Sequence, residues 1–138
     1  MSDKPTLLIY EDQVFTVGHD TFIDSTTENG NAVVFDDNEE TGYFYAVDIN
    51  NDLSILDALH IYNVADVIDK DKPSTIRILW TTDLMKAVLS INNYYHAIFD
   101  FNAKAGYSRN GFPNSNRSWT LINERVLTAE LIDKLLQD

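Results

Sequence analysis

The sequence predicts an α+β domain, mainly antiparallel sheet with a C-terminal helix and room for one further short helix. Three observations lead there. Short apolar runs separated by polar turns fill the first hundred residues, two alternating runs meet at Asn92-Asn93, and the C-terminus carries an apolar stripe at helical spacing. A chain of 138 residues is long enough to bury one core without disulfide or metal support, so a single acidic globular domain over residues 1–138 is expected.

The strands are expected at 6–10, 13–17, 21–24, 32–36 and 42–48. The runs Ala32-Val33-Val34-Phe35 and Tyr43-Phe44-Tyr45-Ala46-Val47 flank an acidic connection and read as a hairpin with carboxylates at its tip. Residues 53–64 are ambiguous: Ile55, Leu56 and Leu59 suit a helix, whereas His60-Ile61-Tyr62 suits a strand. The stretch 66–74, with Asp69, Asp71 and Pro73, reads as a solvated connection, followed by a strand over 75–80.

Residues 86–91 and 94–101 form the clearest hairpin, because Asn92 and Asn93 tolerate the positive φ of a two-residue turn. A regular ladder from that turn sets Ile91 opposite Tyr94 and Leu89 opposite His96, with both faces largely apolar, so the hairpin is expected to be central and covered on two sides. Gly106, Gly111 and Pro113 mark bends in 102–122, which reads as a loop. The helix is expected to begin at Thr128, whose hydroxyl can cap it. Glu130 suits its dipole, and Leu131, Ile132, Leu135 and Leu136 form its apolar stripe.

Charge is divided unevenly. Residues 1–52 hold twelve acids and one base, Lys4, whereas 75–125 holds six bases and three acids. A net charge of -12 opposes binding to phosphate backbones or anionic lipid, so neither nucleic acid nor membrane is an expected partner. The absence of cysteine removes thiol chemistry and fits a reducing compartment. With no apolar run near the roughly 20 residues of a membrane span, the chain reads as cytoplasmic.

Asp36, Asp37, Glu39 and Glu40 crowd the hairpin tip, with Glu11 and Asp12 as a second acidic patch. A solubilising turn, a docking surface for a basic partner and a cation site are the three readings of the tip. Asp48, Asn50 and Asp52 start a calcium-loop pattern that fails where Leu53 replaces the required glycine and Leu59 the required glutamate. His19, His60 and His96 show no metal-ligand or catalytic spacing. His96 reads as a partly buried, hydrogen-bonded strand residue rather than a general base. No nucleophile elbow, phosphate loop or dinucleotide fingerprint is present, so the expectation is a protein without enzyme activity, metal or cofactor. The acid-free segment 102–122 interleaves Lys104, Arg109 and Arg117 with Tyr107, Phe112 and Trp119. Of these, Tyr107, Arg109, Phe112, Arg117 and Trp119 could hold an anionic or aromatic small ligand.

The phrase Ile91-Asn92-Asn93-Tyr94-Tyr95-His96-Ala97-Ile98-Phe99-Asp100-Phe101, followed by Gly106-Tyr107-Ser108-Arg109-Asn110-Gly111-Phe112-Pro113, resembles a family of short bacterial proteins known as a domain of unknown function. That resemblance covers the second half of the chain and implies no chemistry. In size and acidity the whole chain is similar to the immunity proteins of contact-dependent growth inhibition. This likeness implies a cognate toxin protein as partner, a basic nuclease domain above all. The residues expected to meet it are Glu11, Asp12, Asp36, Asp37, Glu39 and Glu40, with Tyr43 and Tyr45 as aromatic anchors.

Overall fold

The computed structural model describes residues 7–109 and 126–136. Two antiparallel sheets pack face to face. One has five strands in the order β1 (Leu7–Phe15), β6 (Ser74–Thr81), β7 (Lys86–Ile91), β8 (Tyr94–Asp100) and β9 (Ala105–Ser108). The other has four in sequence order: β2 (Thr21–Thr26), β3 (Asn31–Asp37), β4 (Thr41–Asp48) and β5 (Ser54–Asn63). The helix α1 (Ala129–Leu135) lies against the outer side of the five-stranded sheet. The architecture is thus largely β, and the expectation of antiparallel sheet with a C-terminal helix holds.

Period-two alternation places Ile23, Val33, Phe35, Phe44, Ala46 and Leu59 of one sheet against Ile76, Ile78, Trp80, Ala87, Leu89, Ala97 and Phe99 of the other. Phe44 stacks on Phe99 with ring centroids 5.1 Å apart. Trp80 Nε1 donates to Ser25 Oγ at 2.9 Å, so the one polar atom of the largest core side chain is satisfied across the sheets.

The hairpin tip at Asn92-Asn93 has both residues at positive φ, 52° and 64°. Its strands are central and buried on two sides, as expected. The register differs: Leu89 pairs with Ala97, not His96, because a β-bulge falls between Leu89 and Ser90. Beyond the bulge the faces exchange. Ala97 and Phe99 join Ala87 and Leu89 in the inter-sheet core, and Ile98 joins Val88 under the helix.

Three further differences share a physical cause, namely that pairing partners outweigh local pattern. Residues 6–10 and 13–17 are not two strands: β1 runs through Leu7–Phe15, bulged between Ile9 and Glu11, because β6 pairs along its whole length. The ambiguous 53–64 is strand β5 followed by a 3-10 turn over Val64–Asp66, since β4 supplies its ladder. Within the expected loop 102–122, residues 105–108 form β9 on the free edge of β8. Gly106 is required there, because a Cβ would lie 2.6 Å from Phe99 Cε1 and 2.7 Å from Asp57 Oδ2. The Thr128 cap forms, with Leu131 N–H donating to Thr128 Oγ1 at 3.1 Å.

Candidate functional site

The outer surface of the four-stranded sheet gathers Asp36, Tyr43 and Tyr45, with Glu39 and Glu40 at one end. Register fixes which side chains share it. Phe22 pairs with Asp36, Asp36 with Tyr43, and Tyr43 with His60, so these four form one row across all four strands. The next row is Asp24, Val34, Tyr45 and Ala58, and the third is Thr26, Ala32, Val47 and Ile55. Ala32, Val34 and Val47 are buried beneath Tyr45 and Ile55, which gives the face a firm apolar floor.

On that floor the aromatic groups are held in place. Tyr43 and Tyr45 stack with centroids 5.7 Å apart, and the His60 ring meets Tyr43 edge-on at 5.8 Å. Phe22, on the edge strand β2, is 65% exposed, although its neighbour Ile23 is core. Asp36 is half-buried. Burial first, and then the carboxylates of Asp20 and Asp37, push its carboxyl above the ordinary carboxylate range. From residue 5 to residue 69 there is no lysine or arginine to relieve that crowding.

The expected contact residues do not all lie here. Asp36, Tyr43 and Tyr45 share the face, and Glu39 and Glu40 stand exposed at its β3–β4 end. Asp37 points the other way and is 0% exposed. Its Oδ2 accepts from Gly18 N–H at 2.8 Å and from the Tyr62 hydroxyl at 2.6 Å, and its Oδ1 accepts from Glu39 N–H at 2.8 Å. It is therefore a structural carboxylate that shapes the tip and cannot touch a partner directly. Burial, and then the hydrogen bond to Asp37, raise the Tyr62 phenol well above its ordinary value. Glu11 and Asp12 sit on β1 in the other sheet, where Glu11 accepts from Gln13 Nε2 and Asp12 pairs with Arg77. They do not extend the acidic face.

Phe22 and Asp24 were the residues that sequence reasoning missed. The signal was present: in Thr21-Phe22-Ile23-Asp24-Ser25-Thr26, alternation groups Phe22 with Asp24 and Thr26, whose polarity marks the solvent side.

The basic segment contributes less than expected. Tyr107 is half-buried and packs with the helix cluster. Arg109 Nε donates to Tyr95 O at 2.7 Å and its Nη1 to Leu127 O at 3.2 Å, tying β8 to the residue before the helix's N-cap, Thr128. Phe112, Arg117 and Trp119 lie outside the described residues. His96 lines a cleft of about 390 Å³ with Tyr62, Lys70 and Lys72. Burial, reinforced by the Arg109 guanidinium, pushes its imidazole down to about 4, so the ring is uncharged at neutral pH.

Residues 15–136 match the model of a family described as an uncharacterized protein conserved in bacteria (DUF2251). The chain belongs to that family. A relative from Haemophilus influenzae, itself described as an uncharacterized protein, is 41% identical over 92 residues, covering 64% of this chain and 57% of the relative. The chain thus spans less than two thirds of that relative's length. No solved structure matches. Among the described residues no helix is long and apolar enough to cross a membrane.

Proposed function

We propose that this DUF2251 member is a binding protein that docks a basic protein partner on the outer face of its four-stranded sheet. The partner we assign is a bacterial toxin domain, with a nuclease the best fit, so that the chain acts as an immunity protein. The observation that carries this reading is the row Phe22, Asp36 and Tyr43, bordered by Asp24, Glu39 and Glu40, on a sheet without a single lysine or arginine. An exposed Phe22 beside the half-buried Tyr43 and Tyr45 on an apolar floor supplies contact area, and surrounding carboxylates steer a cationic surface inward. A nuclease cleft offers the complement, because it is built to hold phosphate. Occupying it with carboxylates blocks substrate without any chemistry by the inhibitor.

The test uses the tagged chain as bait in its source cells at low and high salt, alongside Phe22→Ala and an Asp24→Lys/Asp36→Lys double variant. The expected outcome is capture of one basic protein that is released by salt, lost with the double variant and weakened at least tenfold by Phe22→Ala. One equivalent of the chain should abolish that protein's activity. Capture that survives both variants and high salt would remove this face from the interaction. A captured protein whose activity is untouched would remove the immunity role.

A further inference from the structure

The opposite side of the sandwich presents a different chemistry. The outer face of the five-stranded sheet forms an open groove of about 400 Å³ lined by two arginines from distant strands, Arg77 on β6 and Arg109 just after β9. Arg109 is half-buried, and its guanidinium lies 4.3 Å from the centroid of the Tyr94 ring. Its Nε and Nη1 are held by the two carbonyls described above, and no carboxylate among the described residues pairs with it. A half-buried cation fixed by carbonyls and an aromatic face, with no counter-charge among the described residues, is open to an anionic ligand.

Arg77 is only loosely matched. Its Nε is 3.3 Å from Asp12 Oδ2, an ion pair, yet the alignment makes no hydrogen bond and leaves the Nε proton unused. Its Nη1 donates to Asn93 Oδ1 at 3.1 Å, which positions the guanidinium and turns the Asn93 acceptor toward it. The Nη2 groups of both arginines and the Asn93 amide N–H groups enter none of the described hydrogen bonds. Tyr94, half exposed, provides a ring at the groove's rim.

We propose that this groove binds a small organic anion, a phosphate monoester or carboxylate attached to a flat ring. The anionic group sits between Arg77 and Arg109 with help from Asn93, and the ring rests against Tyr94. Two guanidinium forks suit the paired oxygens of such a group. Besides Arg109, the site uses Arg77, Asn93 and Tyr94, which lie outside the basic segment at 102–122, and it is on the sheet opposite the docking face. It stands or fails independently of the proposed partner.

The experiment is calorimetric titration of the full chain with phenyl phosphate, benzoate and inorganic phosphate, repeated with Arg77→Gln, Asp12→Asn and Tyr94→Ala. Arg77 and Asp12 are half-exposed, so these variants should keep the fold, which urea unfolding verifies. Phenyl phosphate or benzoate should saturate one site, Arg77→Gln should weaken it at least tenfold, and Asp12→Asn should tighten it about threefold by removing a competing charge. Tyr94→Ala should weaken the ring-bearing ligands and leave inorganic phosphate unaffected. The difference between phenyl phosphate and benzoate tells which anionic group is preferred. No saturation by any of the three up to about 10 mM, where a binding energy of only about 3 kcal/mol would register, overturns the proposal. Saturation that is unchanged in both Arg77→Gln and Asp12→Asn overturns it equally.

Discussion

The four-stranded sheet, residues 21–63, carries nine carboxylates and no lysine or arginine, whereas every described lysine and arginine belongs to the five-stranded sheet, its connections or the helix. Both sheets feed one core, so packing does not require this division. The outer faces also differ in cover. The five-stranded sheet buries Leu79, Val88 and Ile98 under Leu127, Leu131, Ile132 and Leu136, while no described element lies across Phe22, Asp24 and Asp36. Basic residues, though not acidic ones, thus follow the layers of the fold: Glu11, Asp12 and Asp100 share the five-stranded sheet with Arg77 and Lys86.

The sharpest way to break the comparison is to remove polarity from inside the acidic sheet. Asp37→Ala deprives Gly18 N–H, Glu39 N–H and the Tyr62 hydroxyl of their acceptor in a buried position. Each orphaned donor costs about 1–3 kcal/mol, so a loss of about 4 kcal/mol in urea unfolding is expected. Glu40→Gln, three residues away in the same acidic run but exposed, should change stability by less than about 0.5 kcal/mol. Equal effects from the two would mean that the tip is not built on Asp37.

In the five-stranded sheet the corresponding probe is pH. The unfolded chain protonates His96 near 6.5, whereas the folded protein holds it at about 4. Between these values the unfolded state binds the extra proton, so stability is complete above 6.5 and falls as pH drops toward 4. The largest possible loss is about 3 kcal/mol. Urea midpoints of His96→Gln measured across that window should show a flatter slope than the parent. An unaltered slope would assign the pH dependence to carboxylates. Coupling between the layers is addressed by Trp80→Phe, which leaves the buried Ser25 hydroxyl without its donor. That change should lower stability by about 2 kcal/mol, read as a shift in the urea midpoint without a change in its slope.

Much of this arrangement was legible locally. Asn92-Asn93 specified its turn because few residue pairs accept two consecutive positive φ values, and Thr128 specified its cap by chemistry confined to four residues. The bulges at Tyr10 and around His96 were not legible, since one extra residue leaves composition unchanged yet reverses every face beyond it. Nor was the division into two sheets, because β1 pairs with β6 across an entire intervening sheet and nothing near β1 encodes that partner. At the candidate site, the acidic run was visible, but its members were separable only by alternation: Asp36 faces outward, and the adjacent Asp37 inward.

That alternation gives the subtlest test, at Asp36. Because its partial burial, and then its neighbours Asp20 and Asp37, raise its carboxyl above the ordinary range, the folded state disfavours the charge that Asp36 carries at neutral pH. Stability from this group therefore increases as pH falls through its raised value and is diminished above it. Asp36→Asn should stabilise the free protein, by no more than about 0.5 kcal/mol once solvent screening is allowed for. The same substitution should weaken capture of a basic partner, since the removed charge is one that a cationic surface would relieve. A gain in stability together with a loss of binding is the signature of a carboxylate kept for a partner and at odds with its own fold. If Asp36→Asn destabilises the protein, or leaves salt-sensitive binding intact, Asp36 belongs to the scaffold of the four-stranded sheet, and the docking face contracts to Phe22, Asp24 and the exposed tip at Glu39 and Glu40.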